Sequence, residues 1–161
     1  MTLVAKLLSP ADVVPDLQVS SKKRLFEHAG LLFENHDAIA RSVVFDSLFA
    51  REKLGSTGLG QGVAIPHGRI KGLKEALGAF LRLAQPVPFE SPDGQPVSLA
   101  FVLLVPEKAT EKHLQILSAL AQMFSDRALR EAMLRAPDAA HLHELITAWQ
   151  PDAAGQRRAA A

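Results

Sequence analysis

Residues 97–124, VSLAFVLLVPEKATEKHLQILSALAQMF, decide how this chain folds. Positions 99–105 are an unbroken apolar run with no polar position left for a wet face. That is the pattern of a strand covered on both sides. Beyond Glu107 and Lys108 the period changes. Thr110 can cap a helix in which Leu114, Leu117, Ala121 and Phe124 recur at three- and four-residue intervals and so share one face.

Outward from this unit, strand-like and helical segments alternate. Residues 79–83 read as a second buried strand, and QPVPFESPDGQP at 85–96 is a turn-rich loop dense in Pro, Asp and Gly. Residues 63–65 form a short strand stopped by Pro66, which removes a ladder donor and disfavours helix before it. Upstream, Ser20 or Ser21 can cap a helix to about residue 35, with Leu25, Phe26, Ala29, Leu32 and Phe33 on one face. A second helix is expected over about residues 37–51, with Ile39, Val43 and Leu48 inward. Downstream, helices are expected at 126–135 and 138–149, the latter with Leu142, Leu145, Ile146 and Trp149 in step. Residues 150–161 have no apolar period and read as a flexible C-terminal tail. Strands interleaved with helices imply an α/β fold, a single-domain three-layer sandwich with helices on both faces of one sheet.

Composition narrows the function classes. The chain has 161 residues, enough for one domain with a sizeable core. Lys and Arg number 18 against 17 Asp and Glu, so no basic footprint for nucleic acid is present. There are no cysteines, which excludes disulfides, thiolate metal sites and cysteine nucleophiles. The start, MTLVAKLLSPADVV, has no sustained apolar segment, and no run approaches the ~20 residues of a membrane span. A cytoplasmic protein without membrane insertion is expected.

The chemistry points to residues 55–68, GSTGLGQGVAIPHG, where five glycines precede or flank a Pro-His-Gly turn. Glycine lets backbone approach a ligand closely and take φ > 0. The spacing at 58, 60 and 62 is not that of a dinucleotide-binding loop, and no Lys-Ser or Lys-Thr follows to make a P-loop. What remains is a loop that presents one imidazole, His67. A neutral imidazole is nucleophilic near physiological pH without a separate base. Taken alone, a histidine here is more often a hydrogen-bonded turn residue, and Arg51 more often a helix-dipole partner than a catalytic group.

Residues 47–68, SLFAREKLGSTGLGQGVAIPHG, closely resemble the active-site signature of the IIA components of the bacterial phosphotransferase system, in the fructose/mannitol class. LLSPADVV (7–14), SKKRLFEHAGLLFE (21–34) and SLAFVLLVPEKATEKHLQILS (98–118) support it, and the likeness spans residues 3–149 as one type-2 EIIA domain. The nitrogen-regulatory branch is the most similar. The resemblance implies a mixed sheet and a phosphotransferase that acts as a phosphoryl carrier. His67 would accept the group as a tele-phosphohistidine from an HPr-like phosphocarrier protein of the nitrogen branch (NPr) and regulate protein targets by its phosphorylation state. A sugar-specific IIA component serving a IIB domain is the alternative. The absence of a fused permease or IIB segment favours the regulatory branch. Neither a cofactor nor a metal is implied.

The resemblance also carries roles to three further positions. His113, in the first turn of the helix after Thr110, would adjoin His67 and help bind the phosphoryl group, in a place where helix N–H donors favour anions. Arg51 would clamp phosphoryl oxygens and offset charge in a loose transition state. Ser56 and Thr57 could donate hydroxyls to the same oxygens or hydrogen-bond the turn. Leu59, Val63 or Ile70 would supply apolar surface for a partner, and Arg69 and Lys71 form a basic rim or a solvated loop. Gln61 stands where relatives often carry Asn. His141 and His143, two apart on a helix, make no zinc pair. His28 falls on an outward face, His36 in a polar turn, and Lys22, Lys23 and Arg24 in a solvated first turn.

Overall fold

A computed structural model describes residues 2–108 and 111–151. In chain order the elements are α1 (Leu3–Leu7), β1 (Leu8–Leu17), α2 (Lys22–Asp37) and α3 (Arg41–Lys53). Three short strands follow, β2 (Gly58–Gly60), β3 (Val63–Ala64) and β4 (His67–Ile70). Two long strands, β5 (Leu77–Val87) and β6 (Val97–Pro106), precede α4 (Glu111–Phe124), α5 (Arg127–Arg135) and α6 (Ala139–Ala148). The expected cap at Thr110 lies outside the described residues, as does the expected tail from residue 152 onward.

The strands join in one mixed sheet of order β1-β5-β6-β3-β2, with β4 also on β6. β5 and β6 are antiparallel, whereas β1 pairs β5, and β3 and β4 pair β6, in parallel. Alternation along β6 sorts its side chains into two cores. Leu99, Phe101, Leu103 and Val105 enter the core under α1, α4, α5 and α6. Ala100, Val102 and Leu104 enter the core under α2 and α3. The run at 99–105 is unbroken because both faces are covered. The α/β three-layer sandwich with a mixed sheet is therefore the observed architecture.

Several local expectations change. The sequence reading assigns no strand to the segment of β1, which contains Pro10 and Pro15. β1 is the edge strand, where a missing N–H costs no ladder bond. The second helix begins at Arg41 rather than residue 37, because Ala38 takes φ 57° and ends α2. Its inward face is Val44, Leu48 and Glu52, whereas Val43 is exposed and Ile39 only packs at the edge of the core. His36 stands in the last turn of α2, with Nδ1 2.7 Å from Asp12 Oδ1. In α4 the buried face is Ile116, Leu120, Met123 and Phe124. Leu114 and Ala121 lie outside the core and Leu117 at its margin. The helix carries two apolar stripes, and the sequence alone does not say which one the sheet takes. Downstream, Asp126 and Asp138 cap α5 and α6 by accepting the N–H of Leu129 and His141.

Phe101 is fully buried and meets Phe124 edge to face, with ring centroids 6.5 Å apart. Phe101→Ala should destabilise the fold by about 3–5 kcal/mol, the usual cost of emptying a large aromatic site. Urea unfolding measures it, and a loss well under 1 kcal/mol would mean that β6 and α4 do not share a tight core.

Candidate functional site

β3 and β4 lie end to end along one edge of β6, with Val63 opposite Leu99 and His67 opposite Leu103. Pro66 keeps the line straight between them, its carbonyl accepting from Leu103 N at 2.9 Å. Leu103 and Val105 point to the α4 side, so their neighbours His67 and Arg69 do too. α4 follows β6 directly and returns His113, its third residue, over the same end of the sheet. This is the crevice beyond the carboxyl end of a central strand, where open α/β sheets place their sites. On the opposite side, α3 packs on β4 through Gly68. A Cβ on Gly68 would lie 2.2 Å from Ser47 Oγ, which itself donates to the Arg69 carbonyl at 2.8 Å. That close approach brings Arg51, in the last turn of α3, to His67.

Arg51, His67, His113 and Arg69 line one cleft of about 360 Å3. Arg51 and His67 also line an adjoining cleft of about 330 Å3 with Ser56 and Thr57. All five residues singled out in the sequence thus converge on one place.

His67 Nδ1 is 2.8 Å from the Ile65 carbonyl oxygen. A carbonyl only accepts, so Nδ1 carries the proton and Nε2 keeps its lone pair. Burial lowers the His67 pKa below 6.5, as do, more weakly, the neighbouring Arg51 and His113; the Ile65 hydrogen bond and Glu52 oppose them. The imidazole is therefore neutral, with Nε2 as its nucleophilic atom, through the physiological range.

Arg51 donates from Nη1 to the Gly55 carbonyl at 2.8 Å, tying the helix end to the glycine loop. Ser56 donates its hydroxyl to the Phe89 carbonyl. Thr57 donates both its N–H (3.0 Å) and its hydroxyl (2.6 Å) to the carboxylate of Glu52. Both hydroxyl protons are thus used inside the fold and shape the loop. Beyond them, Gln61 and Gly62 form the two-residue turn of the β2–β3 hairpin, with φ 59° and 78°. A turn with both φ positive prefers Asn-Gly. Gln61 is held there by its N–H on Asp93 Oδ2 at 2.8 Å.

A family profile described as "Phosphoenolpyruvate-dependent sugar phosphotransferase system, EIIA 2" matches residues 6–149. The chain belongs to this family. It is 41% identical over 147 residues to a "Nitrogen regulatory protein" of Pseudomonas aeruginosa, covering 91% of this chain and 96% of that one. A "Nitrogen regulatory protein" of Bradyrhizobium diazoefficiens is 37% identical over 143 residues, covering 89% and 94%. The crystal structure of nitrogen regulatory protein IIA-Ntr from Neisseria meningitidis superposes with a TM-score of 0.86 at 53% identity, covering 91% of this chain and all of that one.

Within this EIIA fold, several residues around the site differ from what the sequence suggested. Val63 and Ile70 are 1% and 3% exposed and offer no surface to a partner, whereas Leu59 is 44% exposed. Leu54 at 85% and Leu114 at 60% are larger apolar surfaces that the sequence reading did not assign to the site. Lys22 is half-buried rather than fully solvated: its Nζ lies 2.9 Å from Glu52 Oε1 and 4.9 Å from the centre of the Phe89 ring. Glu52, only 7% exposed, thereby joins α2, α3 and the glycine loop. In the sequence it sits inside the charged triplet Arg51-Glu52-Lys53, which reads as solvent-facing, so no signal marked it. His28 is exposed, His141 pairs with Asp138, and His143 Nε2 is 3.0 Å from the Leu8 carbonyl. Among the described residues no cluster of three or more His, Asp or Glu could hold a metal.

The His67 geometry has a direct spectroscopic consequence. Nitrogen-detected NMR titration should find the Nδ1–H tautomer and a pKa below 6.5. A pKa lowered on folding means the ring is still mostly neutral at pH 6.5 and protonates only further down. An Nε2–H tautomer, or a pKa above 6.5, would contradict the geometry.

Proposed function

We propose that this EIIA chain, one type-2 domain over residues 3–149, is a phosphoryl carrier that uses Nε2 of His67 as acceptor. The observation that carries the reading is the Nδ1–Ile65 hydrogen bond, which leaves the Nε2 lone pair free in a ring whose pKa is lowered by burial. With a phosphohistidine donor, the donor's N–P bond breaks while the Nε2–P bond forms. The leaving ring departs neutral and His67 becomes the positively charged ring, still donating from Nδ1 to Ile65. No proton has to move, so no general base is needed. The phosphoryl group is nearly free between the two rings, its charge spread over three oxygens. Arg51 and His113, lining the same cleft, offer N–H donors to those oxygens. Ser56 and Thr57 act through the loop they shape, since their hydroxyl protons are used by Phe89 and Glu52.

The donor is an HPr-like phosphocarrier of the nitrogen branch, NPr, and the output is regulation of protein targets by phosphorylation state. The relatives named nitrogen regulatory protein, similar over nearly the whole chain, support this branch. A phosphoryl group would add roughly two negative charges to the surface around His67, enough to release one partner and attract another. Among the described residues no helix is long and apolar enough to cross a membrane.

Incubation with phosphoenolpyruvate, enzyme I and HPr-like donors should add a single acid-labile, alkali-stable phosphoryl group by intact mass. His67→Ala should abolish it with the fold intact, and an unchanged mass gain in that variant would refute the assignment. Arg51→Ala and His113→Ala should slow transfer by about ten- to a thousandfold, the scale of losing a charge-stabilising donor, with His67 still the acceptor. Wild-type rates in both would remove them from the chemistry. Preference for a sugar-branch HPr, with delivery to a sugar IIB, would replace the regulatory branch by the sugar-specific one.

A further inference from the structure

The free Nε2 of His67 depends on the Ile65 carbonyl, and Ile65 lies where the sheet is interrupted. Ala64 pairs with Ala100 and His67 with Leu103, so Ile65 and Pro66 fall in the gap between β3 and β4. Pro66 has no N–H, and its carbonyl accepts from Leu103 N. The other donor of the gap, Ile65 N, goes to the Thr57 carbonyl at 3.0 Å. Thr57 thus fixes where the Ile65 backbone lies.

Thr57 is itself held from behind. Its N–H donates to Glu52 Oε1 at 3.0 Å and its hydroxyl to Oε2 at 2.6 Å. Lys22 Nζ, on α2, is 2.9 Å from the same Oε1. Glu52 and Thr57 are 7% and 6% exposed, so these bonds are charge-assisted and out of reach of water that could replace them. Next to Thr57, a Cβ on Gly58 would lie 2.2 Å from Ser91 Oγ, so the backbone has no room to retreat on that side. A continuous path of polar contacts runs from Lys22 through Glu52 and Thr57 to Ile65, whose carbonyl accepts from Nδ1 of His67.

Building on the phosphocarrier reading, we infer that Glu52 and Thr57 are positioning residues for the transfer: through Ile65 they keep the His67 proton on Nδ1 and direct the phosphoryl group to Nε2. With the path cut, the Ile65 backbone can turn and Nδ1 loses its fixed acceptor. The ring then places its proton on either nitrogen. When the proton sits on Nε2, the Nδ1 lone pair attacks instead. The donor's N–P bond breaks as the Nδ1–P bond forms, and the product is the pros isomer. Cutting the path therefore changes which nitrogen is phosphorylated, an effect that loss of stability alone does not have.

Two variants cut it at different points. Thr57→Val removes the hydroxyl, and Glu52→Gln turns an amide NH2 towards a donor of Thr57 or Lys22. Thr57→Ser keeps the hydroxyl and is the rescue. Leu142→Ala is the control: it empties a buried site on α6, which packs on β1 at the far edge of the sheet, and so only destabilises. Urea unfolding establishes that each variant is folded. Nitrogen-detected NMR of the unphosphorylated proteins should find Nδ1–H alone in wild type, Thr57→Ser and Leu142→Ala, and both tautomers in Thr57→Val and Glu52→Gln. With a phosphorylated HPr-like donor, the latter two should transfer about ten- to a hundredfold more slowly, the scale of losing an outer-shell partner that orients a histidine. They should also carry the pros isomer beside the tele isomer. Either variant, folded, with Nδ1–H alone, a tele product alone or a wild-type rate would overturn the inference, as would both tautomers in Leu142→Ala or in Thr57→Ser. Should Glu52→Gln fail to fold, Thr57→Val decides. If no donor phosphorylates the wild type, the carrier reading fails, and the tautomers of Thr57→Val still decide whether the path holds His67.

Discussion

Strand β6 has no face turned to water, and covering it organises the rest of the molecule. From Leu99 onward its odd-numbered apolar positions demand α1, α4, α5 and α6 on one side, and its even-numbered ones demand α2 and α3 on the other, which also takes Val97. Helices on opposite faces converge only at the ends of the strand they sandwich. The helix that leaves β6 and the helix that precedes the glycine loop therefore meet over the same edge. β3 and β4 occupy that edge in line, interrupted only by Ile65 and Pro66. His67 begins β4, so the sheet that holds the domain together also fixes the imbalance between its two ring nitrogens.

That imbalance is set by backbone rather than by a side-chain base. A carbonyl two residues upstream holds Nδ1, and burial keeps the ring neutral. A carboxylate in that role would raise the pKa and hold the ring charged for longer as pH rises, which would weaken a nucleophile. Glu52, whose charge reaches His67, is turned instead into the fold, where Lys22 and Thr57 satisfy its oxygens. A buried carboxylate left without these partners would be costly. The same contacts hold the glycine loop to α2 and α3, and Asp93 holds its turn at Gln61 and Gly62.

α4 resolves an apparent excess of apolar residues. One stripe completes the core against Phe80 and Phe101 through Phe124. The other faces outward beside His67, where a monomeric domain has no reason to keep it.

The sequence by itself determined the fold class, the two-sided burial of residues 99–105 and a cap for α2 at Ser20 or Ser21, and its resemblance to the EIIA family implied that Arg51, His67 and His113 meet. The first three rest on local periodicity and capping chemistry, and the last on a long signature shared with the family. It was silent on β1, because two prolines hide a strand that only its edge position permits. It misassigned the faces of α4 and the exposure of Val63 and Ile70, because a doubly apolar helix or a short apolar strand has no local mark for the side that packs. The pairing of half-buried Lys22 with buried Glu52 was likewise decided only by tertiary structure. A charge is hidden or solvated according to what lies opposite it, and the residues opposite Glu52 come from Lys22, thirty positions away, and from a loop that folds back on α3.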